Sequence, residues 1–432
     1  MSDPTVTHDA AVVGGGLAGL SAAALLARGG RSVVLLERSA RPGGRAVTHC
    51  TGEFRWNLGP HALYRRGAAA RVLAALGVEY GGHLPRTRGA LALRAGRRHR
   101  MPVGPLSLFG SGLLPLGAKL EVGGLLGRIP RLDAEPLEAV PVAEWLDGLV
   151  RRPESRGLLE ALVRLTTYAH APEQLSAGAA LRQVQLAFAG NVDYLDGGWQ
   201  VLVDGLARVA GEAGVELRTG ARAVAAGPGV VRLGDGVEVQ ARAVVLAVGP
   251  REAAELVEAG GHAPPPAWTR DAVPVRAASL DLALAELPDP RATFALGIDR
   301  PVYFSVHSTS ARLAPEGAAS LHAARYVGPG EELEAASVQA ELEALVDELQ
   351  PGWRERLVDR RFLPSLTVSN WLASASTGGA AGRPVPAPAE LPGLFLAGDW
   401  VGSEGLLADG ALASAERAAA VAEGHLAGAT AA

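Results

Sequence analysis

Residues 8–28, HDAAVVGGGLAGLSAAALLAR, set a short apolar run, a glycine triplet and an alanine-rich helical stretch in immediate succession. Few local patterns leave a chain so little choice. Gly14, Gly16 and Gly19 stand in G-x-G-x-x-G spacing after an expected strand and at the start of an expected helix. The first permits a tight turn, the second lets backbone approach a pyrophosphate, and the third lets the helix sit close to the strand. Leu17 and Ala18 open the helix, whose free N–H groups and positive partial charge suit a phosphate. A second apolar run, SVVLLE at 32–37, completes a strand–helix–strand unit. Glu37 ends that run 18 residues after Gly19, where a carboxylate can accept both hydroxyls of an adenosine ribose and its charge disfavours a 2′-phosphate; Arg38 follows it.

The same grammar returns at residues 394–420, LFLAGDWVGSEGLLADGALASAERAAA. Two separate nucleotide sites would account for it, and so would one long ligand held from both ends. Between these stretches the pattern changes. Residues 76–190 read as leucine-rich helices broken by Pro and Gly, and residues 191–255 return to α/β character, with a hairpin turn at Asp235-Gly236. Residues 273–326 alternate as a half-exposed antiparallel sheet would, and a helix follows at about 335–349. The expected fold is α/β. A Rossmann-type domain (1–75, 191–255, 371–432) is interleaved with a mixed α+β second domain (76–190, helical; 256–370, sheet and helix).

Composition narrows the function classes. A net charge of −4 and a pI near 6.2 lack the basic field a nucleic-acid surface needs. The lone cysteine, Cys50, excludes an intrachain disulfide and fits a reducing compartment, and MSDPTVTHDA at 1–10 is no secretory signal, so a cytoplasmic protein is expected. No metal site is expected. Residues 105–130 come nearest to a membrane segment; their glycines, prolines and the Lys119/Glu121 pair suit a helical lid over an apolar pocket, or a surface-lying membrane contact, better than a span.

Residues 37–45, ERSARPGGR, resemble the R-x-G-G-R signature of FAD enzymes in the amine oxidase, phytoene desaturase and protoporphyrinogen oxidase superfamily, with Arg41, Gly43, Gly44 and Arg45 in matching places. The resemblance extends along most of the chain. WNLGPHALY at 56–64 is similar to the loop beside the flavin ring, with Gly59, Pro60 and His61 at the close approach. The segment from Tyr194 to Val224 resembles the family's glycine-paired helix and adenine-side strand, near Ala223, with Leu195-Asp196 in place of a proline-containing pair. VVLAVGP resembles the third nucleotide-side strand, ending at Gly249. FLAGDW and DGALASAERAA resemble the C-terminal flavin motif. There Gly398 and Asp399 are implied to meet the ribityl chain, and Gly410 and Ala411 to begin a helix aimed at the flavin. One FAD gripped from both ends of the chain is the implied answer to the repetition. FAD is expected to be non-covalent, since Cys50 lies in the early loop.

The family's amine and polyamine oxidases use a lysine beside the flavin, and none occurs at residues 260–300; Lys119 is the chain's only lysine. With a leucine-rich second domain, this leans toward hydride removal from a C–H of a hydrophobic small molecule such as an isoprenoid, lipid or porphyrinogen-like compound. His61 and Glu404 are candidate proton acceptors, and Tyr168, His170, Trp371 and Trp400 candidate pocket residues. No second G-x-G-x-x-G appears, so oxygen, a quinone or another acceptor is expected to take the electrons. The alternatives are a lysine-independent amine oxidase, a flavin-dependent isomerase, and a non-catalytic binding protein with the fold of the guanine-nucleotide dissociation inhibitors.

Overall fold

The computed structural model describes residues 7–428; the N-terminal reading at 1–6 and the small-residue tail from 429 lie outside them. Ala10–Val13 and Val33–Glu37 are buried throughout, as a parallel sheet covered on both faces demands of near-continuous apolar runs. They belong to a seven-stranded sheet in the order Glu216–Thr219, Val33–Glu37, Thr7–Val13, Glu238–Leu246, Val230–Leu233, Ala223–Gly227, with Leu394–Leu396 also on Glu238–Leu246. That long strand forks. Glu238–Gln240 pairs antiparallel with Val230–Arg232, and Val244–Leu246 pairs parallel with Leu394–Leu396. Val13 is thus in register with Leu36 and Leu246, and Leu246 with Leu396. Four parallel strands therefore end level, and binding segments follow their carboxyl ends, as such sheets dictate.

Helices Leu17–Arg28, Gln200–Glu212 and Leu407–Gly428 cover one face, packing alanines and leucines from Ala22 to Leu426. Helix Pro250–Ala259 covers the other, with Trp268, Trp371 and Trp400. Gly14 takes φ +106°, and a side chain on Gly19 would fall on the Gly14 carbonyl oxygen, so the turn and the helix–strand approach both require glycine.

A second seven-stranded sheet runs Leu357–Ser369, Val275–Leu284, Ala319–Val327, Val302–Ser305, Phe294–Gly297, Ala90–Arg94, Arg97–Arg100. Two expectations change here. The stretch 76–190 is not wholly helical: ALALR and RRHR form a hairpin on the sheet edge, turned by Ala95 (φ 51°) and Gly96 (φ 68°), because the alternation there has period two. Nor are the strands of 273–326 half-exposed, since Val275–Leu284 and Ala319–Val327 are buried almost end to end, the exposure falling instead on the edge strands Leu357–Ser369 and Arg97–Arg100. Helix Ala335–Leu349 seals one face with Val338, Leu342 and Val346, while Ala277, Tyr303 and Ala324 face a cavity on the other. The helical reading of 105–130 resolves into two short helices, Pro105–Gly110 and Leu116–Leu126.

Candidate active site

The level strand ends open onto a cavity of about 670 Å³. Gly14, Gly16, Leu17 and Ala18 line it, whereas Gly19 is turned to its strand. Glu37 lines it too, with each carboxylate oxygen already fixed by a backbone amide: Gly15 N and Ser39 N each donate at 2.7 Å. A carboxylate has about four acceptor positions, so this clamp orients Glu37 while leaving capacity for a diol. Arg38 lines the cavity and pairs with Glu252 at 2.9 Å. Gly43, Gly44 and Arg45 enter from the next loop, with Gly43 N donating to Gly15 O at 2.8 Å, and Ala223 and Gly249 add the remaining nucleotide-side wall. Apart from its own chain neighbours, nothing among the described residues lies within 4 Å of where a side chain on Gly16 would begin. Open space beside a helix N-terminus, with an acid at the second strand end, fits a dinucleotide.

Arg45 reaches Asp399, 354 residues along, with Nη1 donating to Oδ2 at 2.8 Å. Asn370 donates to the same carboxylate twice, from its backbone N and from Nδ2, both at 2.9 Å. Burial favours the protonated carboxyl, but the Arg45 charge and the Asn370 bonds overcome it and hold Asp399 at about 2. Gly398 lines the cavity beside it. Arg383, buried with no carboxylate partner among the described residues, donates to the carbonyls of Asp399 (2.9 Å) and Gly405 (2.8 Å), and burial lowers it to about 10. It braces the loop before helix Leu407–Gly428, which presents Ala408, Asp409 and Ala411 to the cavity. Gly410 is not a liner: a side chain there would press on Arg383. Asp409 accepts the Ala69 N–H at 2.8 Å, and burial pushes its carboxyl up to about 6, with Glu404 adding to the effect.

The wall from the second sheet and helix Pro153–Thr167 is of a different kind. Tyr168, Ala277, Tyr303, Ala324, Tyr326 and Leu366 line it, with no Asp, Glu, Lys or Arg among its liners. Pro60 and His61 close one side, while Gly59 (φ +76°) packs toward Leu366 and Ser279. His61 sits edge-on to Trp199 with Nδ1 3.1 Å from Gly59 O, and burial lowers its pKa to about 4. A nitrogen of such low basicity is a weak proton acceptor near neutral pH.

Several expected pocket residues stand elsewhere. Trp371 and Trp400 are buried in the core under helix Pro250–Ala259, with Trp400 Nε1 donating to Val248 O at 2.8 Å. At the end of strand Leu357–Ser369 it is Asn370 that turns to the cavity, and its neighbour Trp371 turns away. His170 lies outside the lining, toward Gly328 and Glu331. Glu404 is a surface residue, its side chain 61% exposed and paired with Arg71 at 3.2 Å. Cys50 is exposed and does not line the cavity. In return the structure supplies Asn370, Arg383, Tyr303 and Tyr326, which lie in no motif quoted above, and gives the side chains of Tyr64 and Asp409, which lie within two of them, a place at the cavity.

Behind the tyrosine wall lies a buried polar array set by strand register. Asp281 pairs across with His322 on one neighbour and with Arg361 on the other. His322 Nδ1 is 2.7 Å from Asp281 Oδ1, and Arg361 Nη2 donates to Oδ2 at 2.6 Å. Burial opposes the Asp281 charge, yet His322 and Arg361 keep its carboxyl below the usual range. His307 packs on His322 and stacks on Tyr194 at 3.9 Å, and its Nε2 is 3.3 Å from the Tyr303 hydroxyl.

Comparison with known proteins agrees with this geometry. Residues 17–422 match the family model of flavin containing amine oxidoreductases. The chain is 36% identical over 100 residues to a hydroxyneurosporene desaturase of Rubrivivax gelatinosus, covering 23% of this chain and 19% of that protein. It is 30% identical over 209 residues to a putative flavin-containing monoamine oxidase of Mycobacterium tuberculosis, covering 45% and 44%. The matches therefore span less than half the length of these curated relatives. Among solved structures, a putrescine oxidase superposes with TM-score 0.71 at 19% identity, covering 98% of this chain and 100% of the other. A putative protoporphyrinogen oxidase from Exiguobacterium gives 0.69 at 19%, covering 98% and 99%, so the fold is shared across the full length.

Proposed function

The chain belongs to the flavin-containing amine oxidoreductase family, and we propose that it is an FAD-dependent oxidoreductase that withdraws a hydride from a C–H of a hydrophobic small molecule of the isoprenoid, lipid or porphyrinogen-like kind. The carrying observation is the substrate wall, aromatic and aliphatic with the hydroxyls of Ser365 and Thr367 but no fixed charge, while every Asp, Glu and Arg of the cavity sits on segments that follow strands of the nucleotide sheet or open helix Leu407–Gly428. Burying a charged substrate against such a wall would leave the charge unpaired. Lys119 lies on helix Leu116–Leu126 with Nζ donating to Phe109 O, away from the cavity.

Bound FAD supplies the two-electron acceptor for the hydride. Glu37 and the Gly14–Ala18 turn would hold its adenosine and pyrophosphate, and Arg45, Asp399 and Asn370 would hold the ribityl side. The exposed position of Cys50 supports non-covalent attachment. The tyrosine wall orients the C–H bond and excludes water, which is where positioning yields most of its rate. Oxygen, a quinone or another acceptor then takes the electrons. A hydrophobic monoamine is the second reading, because Tyr168 and Tyr326, with ring centroids 6.1 Å apart, offer faces to one ammonium. Along that wall a diamine would find no carboxylate for its far end among the described residues.

The test is anaerobic mixing of FAD-loaded protein with candidate donors while following visible flavin absorbance. Bleaching by apolar C–H donors is expected. Bleaching by short diamines and by nothing apolar would overturn the reading.

A further inference from the structure

Apolar side chains crowd one place on the surface. Leu106 is 93% exposed, Leu116 67% and Leu120 59%, and Val103 and Phe109 are exposed beside them. These are five of the twelve large exposed apolar side chains among the described residues, and they fall within residues 103–120. Isolated exposed leucines need no explanation, but five such side chains within 18 residues, on two packed helices and the segment before them, do. The helices beneath are apolar on their other side as well. Leu108, Leu113, Leu114, Ala118 and Val122 are buried with Leu158 and Ile298, so the exposed leucines are surplus to the core.

The charge around them is equally uneven. Between residues 97 and 131 stand Arg97, Arg98, Arg100, Lys119, Arg128 and Arg131 against one acid, Glu121, a net of +5 in a chain that totals −4. Among the described residues none of these six makes an ion pair, although Arg94 in the same hairpin approaches Glu154 at 3.9 Å. Like charges of this density oppose packing of one copy's patch on another's. They favour an anionic surface.

We propose that the helices Pro105–Gly110 and Leu116–Leu126 seat this protein on the face of an anionic phospholipid bilayer, with the leucines and Phe109 among the acyl chains and the arginines of strand Arg97–Arg100 at the headgroups. The helices lie on the bilayer and do not cross it: 11 residues make about 16 Å of helix against roughly 30 Å of hydrocarbon. No described helix is long and apolar enough to span a membrane. The seat stands one layer from the cavity. Leu165 and Phe294 pack both on the core under these helices and on the Tyr303–Ala324–Tyr326 cluster whose members line the substrate wall. The proposal does not depend on which substrate is turned over, because it is read out by lipid binding alone.

The experiment is flotation of the FAD-loaded protein with vesicles of phosphatidylcholine alone or of phosphatidylcholine with phosphatidylglycerol, at low and high salt. Binding to the anionic vesicles is expected to exceed that to the neutral ones at least tenfold and to weaken with salt, since each basic side chain near an anionic leaflet contributes about fivefold. The L106D/L116D variant, changed only at exposed positions, should lose flotation on both vesicles while keeping its melting temperature and flavin spectrum. R97E/R98E should lose only the anionic preference. Absence of flotation of the wild type at low salt overturns the proposal, as does unchanged flotation of L106D/L116D. So does a wild-type dimer that L106D/L116D dissociates without any change in lipid binding.

Discussion

Asp409 offers the sharpest test of the cofactor-side geometry. Its carboxyl is buried at the start of helix Leu407–Gly428, satisfied by the Ala69 N–H but facing no cation, and burial pushes it up to about 6 from 3.8. At about 1.4 kcal/mol per tenfold in proton affinity, holding it ionised at pH 7 costs the fold about 3 kcal/mol. The sign follows from the raised value. The native state keeps the proton up to about pH 6 while the unfolded chain loses it near 3.8, so this stability is complete below about pH 4 and is lost as pH rises through 6. The helix N-terminus acts against the cost, but a macrodipole returns about 0.3–1 kcal/mol, at most about 2, so the penalty survives. Asp409→Asn keeps an oxygen for Ala69 and removes the charge. Any pH-independent effect of the amide cancels when the gap between variant and wild type is compared at two pH values. With unfolding entropy of about 2.1 cal/mol/K per residue, 432 residues give about 0.9 kcal/mol/K, so the variant should gain about 1–3 °C in melting temperature between pH 4 and pH 7. Tryptophan fluorescence with excess FAD reads it. A gap that stays constant with pH would refute the reasoning and show that the charge at Asp409 is already compensated.

Four further outcomes are expected. Asp399→Ala should release or misplace FAD, since it strips Arg45 and Asn370 of their common acceptor, and a wild-type flavin spectrum and reduction rate would contradict that; with its carboxyl held near 2, wild-type Asp399 stabilises the fold above about pH 4 and that contribution fades as pH falls toward 2. Glu37→Ala should weaken FAD about 10- to 100-fold in equilibrium titration, at about 1.5–3 kcal/mol for hydrogen bonds to a charged group; unchanged affinity would remove Glu37 from the ribose site. Trp400→Ala should cost about 3–5 kcal/mol in thermal or denaturant unfolding, whereas a normal melting temperature with an altered KM would restore Trp400 to the pocket. Glu404→Gln should leave kcat and its pH profile unchanged, because an exposed carboxylate paired with Arg71 cannot reach the cavity; a shifted profile would return Glu404 to the chemistry.

Motifs whose work is local were legible in the sequence. Gly14, Gly16 and Glu37 do their work within one strand–helix–strand unit, and the Asp235-Gly236 turn and the helix at 335–349 need only their own residues. What could not be read was set by registers between distant strands. Arg361, Asp281 and His322 stand side by side because two antiparallel pairings place them so, and Tyr303 and Tyr326 meet through the same sheet. Trp371 is a candidate pocket residue by sequence, yet at this strand end the amide of Asn370 faces the cavity and the indole of Trp371 the core. Trp400 follows Asp399 directly but turns its indole to Val248 and Trp268, away from the site. The hairpin at 90–100 is masked by leucine-rich surroundings, although ALALR alternates plainly.

The Arg45–Asp399 contact also has a meaning for how the protein comes into being. On the ribosome Asp399 emerges 354 residues after Arg45, which at about 5–20 residues per second is a delay of about 20–70 s. From the time Glu238–Leu246 is made until the end of that interval, its edge lacks its last partner, Leu394–Leu396, and Arg45 lacks Asp399. If this pair holds FAD as proposed, firm capture of the cofactor is a late event in the life of each molecule. A nascent chain stalled before its final strand holds an apolar parallel sheet open to aggregation, and raising the free FAD concentration cannot rescue it until that strand has been made.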